Sequence, residues 1–208
     1  MPLYTNTERG TVSYQPDDGF NKQIILANDY TNTTKLANAT IGHGDNIYTI
    51  GSAQFNDVSD LSFGLGPSES VVGKYSIFFQ QSHTDPDLLY RFVTVDPSAT
   101  TTTAVATTIK VIGIGISIAS GPSSANSLEM YNTDTNTVSL ATHKTDGIGT
   151  ALFVNVDSAN NDKFVFGDFL IENTTNTAAT VKLQITARDD TASQLKLSKG
   201  SYLAYSKF

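Results

Sequence analysis

A strict two-residue period runs through residues 105–120, VATTIKVIGIGISIAS, and it commits this part of the chain to a β-strand. In an extended strand successive side chains point to opposite faces. Ile112, Ile114, Ile116 and Ile118 therefore share one face, and Val111, Gly113, Gly115 and Ser117 share the other. Four branched aliphatic side chains in register call for burial, so the isoleucine face is expected to enter a deep core. The glycine face has almost no bulk and lets another backbone come close. If the chain's own second layer leaves that face uncovered, Gly113 and Gly115 are expected to meet a neighbouring subunit.

The remaining sequence supports the same architecture. It is rich in Thr, Ser, Asn, Val and Ile, only 16% of its residues are charged, and no segment sustains an apolar stripe at helical spacing. The expectation is an all-β fold, an antiparallel two-sheet β-sandwich of jelly-roll-like topology. With 208 residues, 1–208 is expected to form a single β-sandwich domain, with 1–15 an extended N-terminal arm. Strands are expected near 22–27, 74–80, 88–95, 151–156, 164–171 and 180–187, with Gly167 and Asp168 forming a bulge. In the strand over 180–187, Val181, Leu183 and Ile185 alternate with Lys182, Gln184 and Thr186. Hairpins are expected around 132–136 and around Lys199-Gly200. The threonine-rich segment 98–108 is a second candidate arm.

Composition excludes several function classes. The net charge is −7 with 13 scattered basic residues, which argues against a nucleic-acid partner. No run of about 18 apolar residues occurs, so membrane insertion through a helix is not expected. The N-terminal MPLYTN lacks the basic and apolar regions of a secretory signal. With no cysteine, disulfides, thiolate metal sites and cysteine nucleophiles are excluded.

No catalytic constellation emerges, and the chain is expected not to be an enzyme and to need no cofactor. His43, His83 and His143 lack metal-ligand spacing and fit exposed positions. Asn132, Asp134 and Asn136 match the first oxygen positions of a calcium loop, but the turn glycine and distal glutamate are missing. Asp157, Asn160, Asn161 and Asp162 form a second oxygen-rich loop. Asp134, Asp157 and Asp162 are thus weak calcium candidates in a chain with no expected metal site. The pairs Asp85 with Asp87 and Asp168 with Glu172 do not indicate a cleft. Gly113-x-Gly115 is not followed by a helix, as a phosphate loop would be. Arg91, among Leu89, Val93 and Val95, is expected to be edge-exposed or salt-bridged. Sequons place possible N-glycosylation at Asn32, Asn38 and Asn173.

These features point to a non-enzymatic structural subunit that self-assembles through sandwich packing and strand or arm exchange. A virion protein (capsid, decoration or tail) is the first expectation. Its partners would be copies of itself in a homopolymer and other structural subunits, with Gly113, Gly115, Tyr4 and Tyr14 as interface candidates. The stretch 164–187, with Phe-Leu-Ile-Glu-Asn followed by Ala-Thr-Val-Lys-Leu-Gln-Ile, resembles the sandwich strands of TasA-like fibre proteins over about a tenth of the chain. That resemblance implies an extracellular filament or surface-layer subunit, locked by an N-terminal strand donated to a neighbour. A carbohydrate- or receptor-binding β-sandwich module is a further alternative, weakened by the absence of the Trp that commonly stacks on sugars.

Overall fold

The computed structural model describes residues 4–6, 11–13, 21–33, 55–81, 88–98, 103–118, 125–128, 130–132, 137–138, 141–149, 151–154, 162–187 and 195–208. These form strands throughout, without a helix. In chain order the strands are β1 (Tyr4–Asn6), β2 (Thr11–Ser13), β3 (Lys22–Ile25), β4 (Tyr30–Thr31), β5 (Asn56–Leu65), β6 (Ser70–Gln81), β7 (Leu88–Val95), β8 (Thr108–Ile118) and β9 (Ala125–Leu128). They continue as β10 (Met130–Asn132), β11 (Thr137–Val138), β12 (Ala141–Lys144), β13 (Leu152–Val154), β14 (Asp162–Glu172), β15 (Ala179–Ala187), β16 (Leu195–Leu197) and β17 (Tyr202–Lys207).

Two antiparallel sheets pack face to face, as an all-β sandwich requires. The smaller has the order β11-β10-β13-β7-β15-β5. The larger, of nine strands, runs β12-β8-β14-β6-β16-β4, with β17 between β6 and β3 and with β9 on β8. The long strands cross between layers, so that β14 returns beside β6 and β15 beside β7. These are Greek-key returns, the connections from which closed sandwiches are built. Within 1–15, β1 and β2 pair with each other as a separate two-stranded ladder. The described part of the expected arm is therefore a hairpin.

The core lies between the sheets. From the larger sheet it takes Val71, Tyr75, Ile77 and Phe79 of β6 and Val165, Phe169 and Ile171 of β14. The smaller sheet supplies Tyr90 and Phe92 of β7 and Val181, Leu183 and Ile185 of β15. The alternation read from the sequence for β15 thus selects the inner face correctly. Aromatic rings bridge the layers, with Phe92 and Phe169 centroids 5.1 Å apart and Phe63 stacked on Tyr205 at 4.1 Å.

The expectation for the isoleucines is reversed. Ile112 and Ile114 face outward, 47% and 43% exposed, while Val111, Gly113 and Gly115 are buried on the inner face. The reason lies in the neighbours. Every second residue of a paired strand must share a face with its register partners, and Ile112 pairs with Asp168, itself paired with Lys74. Once the larger apolar set of β6 and β14 takes the core, the parity of β8 follows. The glycines then serve a different purpose. Gly113 and Gly167 are paired, and Tyr75 pairs with Gly167 from the other side. The Tyr75 hydroxyl reaches across β14 to donate to the Ile112 carbonyl at 3.1 Å and lies 2.7 Å from the Tyr90 hydroxyl. The trough is thus occupied by an aromatic side chain of the same molecule, and Gly113 and Gly115 are not on the open surface.

Three further expectations change and one holds. The ladders through Gly167 and Asp168 are unbroken on both sides. The register shift falls instead between Lys182 and Gln184, opposite β5. Residues around Lys199-Gly200 do not make a hairpin, because β16 and β17 run in the same direction along β6. Residues 198–201 loop out between them, held by the Ser198 and Ser201 bonds to the Phe78 backbone and by Gly200 at φ 91°. The hairpin around 132–136 exists as the β10–β11 pair, but β9 and β12 on its flanks join the other sheet. Finally, in the proposed second arm, residues 103–107 fold back on β7 through Asp96–Thr103 and Val105–Thr94 backbone bonds. Buried Thr94 and Thr107 hydroxyls 2.6 Å apart secure that return.

Candidate functional site

The most distinctive surface is the outer face of the larger sheet. Its register lines up side chains in rows across β8, β14, β6 and β17. One row holds Ile114, Phe166, Ser76 and Tyr202, and the next holds Ile112, Asp168, Lys74 and Ala204. On either side lie Phe164 with Phe78, and Lys110 with Leu170, Val72 and Ser206. Phe166 is 36% exposed, and Val72 and Phe78 are similarly open. The three phenylalanines form a ring cluster, Phe78 to Phe164 at 6.0 Å and Phe164 to Phe166 at 5.6 Å. Scattered exposed apolar residues are ordinary, whereas a contiguous patch of this kind marks a contact surface.

Charge on this face is sparse and paired. Lys110 Nζ lies 3.1 Å from Glu172 Oε2. Lys74 and Asp168 occupy adjacent strands in direct register. Exposed His143 stands opposite Lys110 on β12. Shallow grooves run between these side chains, one lined by Val72, Ile112, Asp168 and Leu170 and another by Lys74, Ile114, Phe166 and Tyr202.

The outer face of the smaller sheet has a different character, with its polar groups tied to one another. Asp57 accepts hydrogen bonds from Lys182 Nζ and Gln184 Nε2, both at 2.6 Å. Arg91 Nε donates to Gln184 Oε1 at 2.9 Å, and its guanidinium sits 3.9 Å over the Phe55 ring. Arg91 is half-buried on a strand flanked by β13 and β15 and is held by an amide and a ring, so it is not edge-exposed, and it makes no direct ion pair among the described residues. Burial pushes the Asp57 carboxyl up, but the bonds from Lys182 and Gln184 outweigh it and hold the carboxyl below its usual range. Burial lowers the Arg91 pKa. The Asp57 carboxylate, the Gln184 amide, Lys182 and Arg91 Nε are thus tied to one another, the pattern of a structural network.

Asp168 and Glu172 lie on the open apolar face rather than in a cleft. Asn32 and Asn173 are buried. Asn173 Nδ2 donates to the Gly66 and Thr177 carbonyls, both at 2.8 Å, and Oδ1 accepts from Thr175. A glycan on that nitrogen is incompatible with this packing. Asn38, Tyr14, His43, His83, Asp85, Asp87, Asp134 and Asp157 lie outside the described residues, as do the side chains of Tyr4 and Asp162. Among the described residues no group of three or more His, Asp or Glu is placed to hold a metal ion. The isoleucine and phenylalanine surface was missed as a site because its apolar letters read as core. Phe164 and Phe166 flanking Val165, with Phe169 and Ile171 beyond, carry the signal that both faces of β14 are apolar.

No family model and no curated protein matches this chain. Among solved structures it is similar to infectious bursal disease virus of the Gx strain, at 14% identity and a TM-score of 0.27, over 93% of this chain and 44% of that one. The Gt strain gives 11% identity and a TM-score of 0.27, over 94% and 45%. The chain spans less than half the length of these structures. At such a TM-score the likeness carries no argument about fold or role.

Proposed function

We propose that this chain is a non-enzymatic structural subunit that assembles with copies of itself, with a virion as its setting. The observation that carries this reading is the open outer face of the larger sheet, where Ile112, Ile114, Phe166, Phe78 and Val72 are exposed together. Exposed apolar area on this scale favours association, since burying it gains roughly 25 cal/mol per Å². The polar network of the opposite outer face has no comparable drive. Composition supports the virion setting: an acidic, cysteine-free, Thr- and Asn-rich sandwich suits a shell component.

Electron microscopy and light scattering of the purified full chain test the reading. Closed particles or ordered shells are the expected result. Fibres would move the chain to the extracellular filament class. A monodisperse monomer at high concentration would overturn self-assembly.

A further inference from the structure

We infer that the outer face of the larger sheet packs against the same face of a second copy, about a two-fold axis that runs parallel to the strands between β14 and β6. The inference rests on the self-assembly reading and specifies the surface and geometry of the contact. It comes from the register. Rotation about such an axis lays each β14 position over the partner's β6 position, and each β8 position over the partner's β17 position.

The consequence is complementary in charge and in size. Lys74 comes over the partner's Asp168, and by symmetry Asp168 over the partner's Lys74. Phe164 meets the partner's Phe78, and Leu170 meets the partner's Val72. The two rows that carry large exposed groups face small ones. Phe166 projects over Ser76 and Ile112 over Ala204, both of which are buried at the bottom of the face. Ile114 meets the ring of Tyr202. An isologous contact requires a patch that complements itself, and this one pairs opposite charges and fits knobs to recesses under one operator. Axes elsewhere on the face lose this match. A two-fold centred on β14 places Asp168 over the partner's Asp168.

The area is sufficient. The five exposed apolar residues of β6, β8 and β14 present on the order of 400 Å², and the surrounding Phe164, Leu170, Tyr202, Lys74, Lys110 and Asp168 bring the face to roughly 700 Å² per copy, close to the ~800 Å² of a standard interface. Two sheets packed this way sit about 10 Å apart, as the layers of a sandwich do.

Sedimentation velocity on the full chain over a wide concentration range tests the geometry. Wild type is expected to form a dimer or a larger species built from it. Phe166→Glu is expected to remain monomeric with an unchanged circular-dichroism spectrum. Lys74→Asp and Asp168→Lys, at exposed positions, are each expected to weaken association by about 100-fold, because like charges then meet twice across the axis. Mixing the two variants restores association as a heterodimer, since an all-acidic centre meets an all-basic one. Wild-type association left unchanged by F166E, or a K74D and D168K mixture that stays unassociated, overturns the two-fold while the self-assembly reading stands. A wild-type chain that remains monomeric throughout overturns both.

Discussion

Asn173 links two turns that close the same end of the sandwich. Its side-chain amide bonds the Gly66 carbonyl after β5 and the Thr177 carbonyl before β15, while its oxygen forms an Asx turn with Thr175. Asn173→Ala removes the side-chain bonds that join the two turns and leaves the Gly66 and Thr177 carbonyls only the longer bonds from the Glu69 N–H and the Thr175 hydroxyl, so it is expected to cost about 2 kcal/mol, read from urea unfolding midpoints. Glu69 secures the first of these turns. Its carboxylate accepts the Gly66 N–H at 2.6 Å and Lys207 Nζ at 3.0 Å. The bond from Gly66, joined by Lys207, holds this carboxyl below the usual carboxylate range, although burial opposes the shift. A carboxyl whose folded pKa is depressed contributes stability above its unfolded pKa and loses it as pH falls through the folded value. Glu69→Gln is therefore expected to be less stable than wild type by about 1 kcal/mol at neutral pH. The difference should close as pH drops below the ordinary glutamate range, and a gap that stayed constant with pH would refute the charge-based account. Thr186 presents the converse case, a buried hydroxyl with no partner among the described residues. Thr186→Val keeps the shape and removes the desolvated group, so a stabilisation of about 1 kcal/mol is expected in thermal unfolding.

Strand β8 shows what a single element can and cannot declare about itself. Its period was legible, and so was its identity as a long strand. The direction of its faces was not, because parity belongs to the sheet. Ile112 and Ile114 are as apolar as any core residue, yet they lose the competition for the interior to Val165, Phe169, Tyr75 and Ile77, which fix the register of the adjoining strands. The same limit explains β16 and β17. Leu195, Leu197, Leu203 and Tyr205 keep to the inner face on both sides of Gly200, which suits one strand with a looped-out insertion as well as it suits a hairpin. Local letters cannot separate these, whereas the ladder with β6 does. Gly167 is the residue on which the element geometry turns. A Cβ there would collide with the Ile112 carbonyl oxygen and approach Gly113 Cα to 2.8 Å. Both are backbone atoms that cannot rotate away. Gly167→Ala is expected to push β8 from β14 and destabilise the fold by 3 kcal/mol or more, well beyond the roughly 1 kcal/mol range of ordinary strand propensity. Amide hydrogen exchange should localise the loss to β8 and β14, and uniform protection with little change in melting would exclude the close approach as a constraint.

At the scale of the molecule, the two outer faces divide the labour of the sandwich. The smaller sheet's exterior binds Arg91, Gln184, Asp57 and Lys182 to one another and leaves little apolar area near them. The larger sheet's exterior leaves rings and isoleucines open, and no described residue covers them. An isolated sandwich with such a face holds its core but wets its second apolar surface, so its stability must depend on whether a partner is present. Association of the native state alone links melting to protein concentration. For a dimer of 208-residue chains, each tenfold rise in concentration adds about 0.7 kcal/mol per chain, which raises the melting temperature by roughly 2 °C. Wild type is expected to show this slope in differential scanning calorimetry. Phe166→Glu should give a melting temperature independent of concentration and close to the dilute limit of wild type. A concentration-independent wild-type melt would mean that the face remains wet in the native protein, and a slope retained by F166E would place the contact on another surface.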